Sequence, residues 1–130
     1  MNSFKIESTP VTPEINFDID DNTLTFLKVS KPENAIDFYK PLFDFIDKFE
    51  QKKVKPGQVD QLTIDFKFDY FNASSAKMIH QLLGRFKKIQ QTGIKLDVNW
   101  FYRSDDEDML EDGEIISEAQ QIPFNFKAIE

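Results

Sequence analysis

At 130 residues the chain has room for one compact domain built around one core. Its net charge of −7 opposes binding to phosphate backbones and to anionic membranes, which sets aside non-specific nucleic-acid binding and membrane association. With no cysteine and a single histidine it has no disulfide, no thiol nucleophile and too few ligands for a Cys/His zinc site, so no metal or cofactor is expected.

The opening MNSFKIESTP lacks a basic segment followed by an apolar run, and no apolar stretch approaches membrane-spanning length. These features point to a cytoplasmic protein without membrane insertion. There is no internal repeat or low-complexity block, so residues 1–130 read as a single domain. Fourteen phenylalanines mean that much of the core is built from rings.

Pro10 and Pro13 interrupt any early strand, because neither has an N–H to give. After them EINFDID (14–20) alternates Ile15, Phe17 and Ile19 against polar residues. Asp21-Asn22 signals a turn and TLTFLKV (23–29) alternates again, which predicts a hairpin. Ser30 with Glu33 has capping-box spacing, and Pro32 suits a first helical turn. Ile36, Tyr39, Leu42, Phe43, Ile46 and Phe49 then form a helical stripe, which Pro41 is expected to kink or split into two helices.

QLTIDFKFDYF (61–71) is the clearest strand, with Leu62, Ile64, Phe66 and Phe68 on one face. The following helix places Met78 or Ile79, Leu82, Leu83, Phe86 and Ile89 together and ends near Gly93. IKLDVNWFY (94–102) predicts another strand. Ser104 with Glu107 has capping-box spacing again, ahead of a helix carrying Met109, Leu110, Ile115, Ile116 and Ala119, with Gly113 as its weak point. Pro123 stops that helix and FNFKAI (124–129) is a last strand. The sum is an α/β fold: a mixed, mostly parallel five-stranded sheet with an N-terminal hairpin and about four helices.

Few residues are equipped for chemistry. His80 sits at the border of an apolar helix face, and an isolated histidine there is more often a boundary residue than a catalyst. Asp65, Lys67 and Asp69 share the polar side of a strand and read as its solvent face. The run SDDEDMLEDGE (104–114) is either a solvated helix start, whose acids suit the dipole, or a docking face, or a cation site. Its spacing fails the EF-hand pattern. No phosphate-cradling glycine loop or nucleophile elbow occurs, so an enzyme is not expected.

The junction YFNASSAK (70–77) joins the best strand to the best helix, where open α/β sheets place their sites. Asn72 or Ser74 caps the helix. A hydroxyl at this position could instead receive phosphate, which free N–H groups and the positive dipole end would accommodate.

PENAIDFYKPL, FDYFNASSAK, VNWFY and DDEDMLEDGE follow in this order. Together they resemble the SiaC-type bacterial regulatory phosphoproteins, small domains likened to the STAS-fold anti-sigma-factor antagonists, over residues 30–126. The resemblance implies a STAS-like, non-enzymatic partner-switching module. Such a module is phosphorylated by a serine/threonine protein kinase, dephosphorylated by a PP2C-type phosphatase, and binds and activates a diguanylate cyclase when unphosphorylated. The phosphoacceptor implied is the hydroxyl residue, typically Thr, after the Asn of YFN. That position here is Ala73: either Ser74 or Ser75 takes over as phosphoacceptor, or this copy is locked in the unphosphorylated, binding-competent state, or the residue has been altered. The expected partner-binding surface comprises Tyr70, Phe71, Asn72, Ala73, Ser74, Ser75 and Lys77, with Asp105, Asp106, Glu107 and Asp108 as a second contact. The alternative is a small-ligand or nucleotide-binding domain at the same sheet edge.

Overall fold

In a computed structural model describing residues 1–130, six segments pair into one sheet. They are β1 (Phe4–Ile6), β2 (Glu14–Asp18), β3 (Thr23–Ser30), β4 (Gln61–Phe71), β5 (Lys95–Arg103) and β6 (Phe124–Ile129). The spatial order of the strands is their order in the chain. β1, β2 and β3 are antiparallel, and β3 to β6 run parallel. The parallel strands are joined through α1 (Ala35–Phe49), α2 (Ala73–Gln90) and α3 (Glu107–Gln120).

Right-handed crossovers that always step the same way put every helix on the same side of the sheet. Burial follows this rule. In β4, Leu62, Ile64, Phe66 and Phe68 are buried beneath the helices, whereas Thr63, Asp65 and Lys67 are half-exposed on the opposite face. That open face carries polar links between strands, with Asn99 donating to Asp65 and Asn125 donating to Asn99. Under the helices a row of rings crosses β3 to β6. Phe26 stacks on Phe66 at 5.1 Å, Phe66 meets Trp100 at 5.3 Å, and Trp100 stacks on Phe124 at 5.8 Å.

Several expectations are corrected. The sheet has six strands rather than five. β1 is three residues long and exists by pairing with β2, Phe4 opposite Phe17, where Phe4 also packs on Phe45. There are three α-helices rather than four, because Pro41 does not break α1. Pro41 is exposed, so the Asp37 carbonyl it leaves free faces water, while Tyr39, Leu42, Ile46 and Phe49 keep an unbroken buried stripe. The helix then widens into a π-helical segment, Glu50–Val54, which turns Val54 inward.

Ile36 and Ile115 leave their predicted stripes and are 69% and 55% exposed. Neither capping box forms. Asn34 caps α1 by accepting from the Asp37 N–H, and Asp106 caps α3 by accepting from the Met109 N–H. Gly113 is where α3 lies closest to the sheet: a Cβ there would stand 2.5 Å from the Trp100 indole nitrogen.

Candidate functional site

The end of β4 owes its shape to a bulge. Pairing with β3 steps from Lys28 opposite Phe68 to Val29 opposite Tyr70, which leaves Asp69 without a partner. Lys28 takes up the irregularity in the left-handed region, at φ 75°. The extra residue breaks the in-out alternation. Tyr70, which should follow Phe68 into the core, is 52% exposed, and Phe71 turns inward against Phe68 and Trp100.

Beyond the bulge Asn72 caps α2, its side-chain oxygen accepting from the Ser75 N–H at 2.9 Å. Asn72 is thus the cap, and Ser74 is not. Ala73 and Ser74 are exposed in the first turn, and their own N–H groups have no intrahelical acceptor. That turn carries no acidic side chain, whereas α1 has Asp37 and α3 has Glu107 and Asp108 in theirs.

Ser75 is fully buried. Its hydroxyl lies 2.7 Å from that of Ser30 and donates to the Ser30 carbonyl at 3.0 Å. The Ser30 hydroxyl also meets the Tyr39 phenol at 2.6 Å. The Ser75 oxygen is thus enclosed and engaged in this fold. Ser74 is the exposed hydroxyl of the turn. It lines a cleft of about 300 Å³ between the starts of α1 and α2, together with Asn34, Ile36, Lys77 and Met78.

The acidic segment reaches the same sheet edge. Asp106 and Asp108 share a cavity of about 470 Å³ with Asp69, Tyr70, Phe71, Met109, Glu111 and Asp112. The structure thus brings Tyr70 and Phe71 together with Asp106 and Asp108, while Ser74 and Lys77 line the separate cleft. Asp105 and Glu107 line neither space. Asp112 is held above the ordinary carboxyl range, first by partial burial and then by the charges of Asp108, Glu111 and Asp106. His80 is occupied structurally, its Nδ1 lying 2.9 Å from the side-chain nitrogen of Gln120.

Sequence reasoning missed Ser30, Tyr39 and Lys28. Ser30 did leave a signal: it shares strand parity with Leu24 and Phe26, so it was due to face the core. Tyr39 showed its apolar body but not the use of its hydroxyl. Nothing local marks Lys28 as the left-handed residue opposite the bulge.

Comparison with known proteins agrees with this architecture. The profile of the family described as SiaC family regulatory phosphoprotein matches residues 6–129. An uncharacterised protein of Pseudomonas aeruginosa (strain UCBPP-PA14) is 27% identical over 128 residues, which cover 98% of each chain. Apo-SiaC from Pseudomonas aeruginosa superposes with a TM-score of 0.85 at 26% identity, covering 98% of this chain and 100% of that one. A structure of the diguanylate cyclase SiaD in complex with its activator SiaC, from the same species, gives a TM-score of 0.86 at 25% identity, covering 97% and 99%. These matches are to SiaC structures themselves. The chain belongs to the SiaC family of regulatory phosphoproteins.

Proposed function

We propose that this chain is a cytoplasmic regulatory adaptor with no reaction of its own, which binds and activates a diguanylate cyclase while unphosphorylated. It thereby raises cyclic di-GMP and favours biofilm formation or aggregation. A serine/threonine protein kinase turns it off and a PP2C-type phosphatase restores it. The observation that carries this reading is the likeness, over 97% of the chain, to the SiaC seen in complex with SiaD.

Ala73 cannot accept phosphate, so the off state falls to Ser74, the exposed hydroxyl of the α2 start. The γ-phosphoryl of ATP passes to Ser74 Oγ, the hydroxyl proton is lost and ADP leaves. The new dianion meets the unsatisfied N–H groups and the positive end of α2, so the helix tolerates it while the surface facing the partner gains negative charge. Tyr70, presented by the bulge, supplies a large amphipathic contact suited to an interface. The alternative, a nucleotide site at this edge, is disfavoured by the five carboxylates lining the adjoining cavity, which would repel phosphate.

The test uses the purified chain and the diguanylate cyclase of its own organism. Wild type should co-elute with the cyclase and raise its output of cyclic di-GMP, and Ser74→Asp should weaken both by at least about tenfold, a difference of about 1.4 kcal/mol. If wild type neither binds nor activates, the adaptor reading fails. If Ser74→Asp behaves as wild type, Ser74 is not the switch.

A further inference from the structure

Three buried hydroxyls meet where β3 ends and α2 begins, and α1 supplies one of them. Ser30 and Ser75 are fully buried and Tyr39 is 2% exposed. Burial pushes the Tyr39 phenol up to about 12, so it keeps its proton throughout the physiological range. One arrangement then uses every proton. Tyr39 O–H donates to Ser30 Oγ, Ser30 O–H donates to Ser75 Oγ, and Ser75 O–H donates to the Ser30 carbonyl. The same carbonyl accepts from the Asn72 N–H at 3.0 Å, and no buried side-chain polar atom is left without a partner. The first turn of α2 is tied twice to Ser30, and through Ser30 to α1. These two helices form the walls of the cleft that Ser74 lines.

We propose that the Tyr39–Ser30–Ser75 hydroxyl chain is a latch that selects the modifiable serine: it withholds Ser75 and fixes the α2 start so that Ser74 alone is presented. Ser30 and Tyr39 are positioning residues for the switch. The choice of serine rests on the phosphorylation reading above; the latch itself can be measured without it.

The experiment is amide hydrogen exchange on the full chain, followed by phosphosite mapping. Ser30→Ala removes the central hydroxyl and strands the Tyr39 donor in the core. Exchange at residues 75–77 should accelerate by about tenfold, with the amides of β4 and β5 unchanged. Adding Tyr39→Phe removes the stranded donor and should restore part of the protection, because losing both partners costs less than losing one. Uniform acceleration along the chain, or a double variant worse than Ser30→Ala, overturns the latch.

With the cognate kinase, each phosphoryl transfer converts ATP to ADP and replaces one serine hydroxyl proton. Wild type should gain one phosphate, on Ser74, and Ser30→Ala a second, on Ser75. Phosphate on Ser75 of wild type overturns the latch. A wild type that takes no phosphate overturns the switch reading, and the exchange pattern still decides the latch.

Discussion

Replacing Gly113 by alanine should destabilise the fold although it improves the helix. The new Cβ would lie 2.5, 2.6 and 2.7 Å from three atoms of the Trp100 indole. Ordinary carbon contacts need about 3.5–4.0 Å, so about 1 Å must be found. The ring cannot retreat. It is 1% exposed, stacked on Phe124, edge-on to Phe71, and its N–H donates to the Met109 carbonyl at 2.9 Å. Helix α3 must lift instead. Overpacking of this kind costs about 1–3 kcal/mol, here toward the upper end. Alanine returns about 1 kcal/mol of helix propensity.

The net loss is about 2 kcal/mol, or about 8 °C in Tm for a chain of this size. Gly84 is the control, because it lies inside α2 with nothing within 4 Å of its would-be Cβ. Gly84→Ala should gain up to about 1 kcal/mol. Urea unfolding followed by the single tryptophan reads both variants, and Gly113→Ala should also shift the native emission. If the two substitutions shift stability in the same direction, the close approach of α3 to Trp100 is wrong.

Asn72→Ala removes the α2 cap and should cost about 1 kcal/mol in urea unfolding, whereas Asn72→Asp, which keeps the acceptor, should cost far less. Lys28→Gly relieves a left-handed lysine worth about 1–2 kcal/mol of strain against a chain-entropy cost of about 0.5–1, so it should be neutral or mildly stabilising. A loss above about 1 kcal/mol would show that the bulge is not strained. For Asp112 the folded value is raised, so the folded chain holds a proton over a window where the unfolded chain has lost it, and stability falls as pH rises through that window. Asp112→Asn should therefore be the more stable protein at pH 7, with its advantage gone below about pH 4 in a pH series of urea midpoints.

The strands after the prolines were legible because each alternates over enough residues to declare a face. β4 is the plainest, and its predicted ends coincide with those observed. β1 was illegible because three residues carry no period and depend on partners further along the chain, Phe17, Asn16 and Ile15. Ser30 looked like a helix cap by its spacing to Glu33, yet Tyr39 and Ser75, nine and 45 residues on, draw its hydroxyl into the core. Long-range hydrogen bonding outranked a local motif. Gly113 read as a helix flaw; its cause is Trp100, thirteen residues earlier and on another element. The junction at YFNASSAK was legible as the end of a strand followed by a capped helix start. Which serine stands free was not, because that depends on the opposing surface of β3.

The sequential strand order also bears on how the chain is made. Every strand pairs with the one synthesised immediately before it, so no pairing waits for a distant segment to arrive. Sequence separations between partners stay short for a mostly parallel sheet, which lowers the loop-closure entropy that slows such folds. Each β-strand and helix can dock on an edge already in place as translation proceeds. The growing edge is always the newest strand, and the unit that begins at Ala73 docks only after β3 has presented Ser30 to receive it.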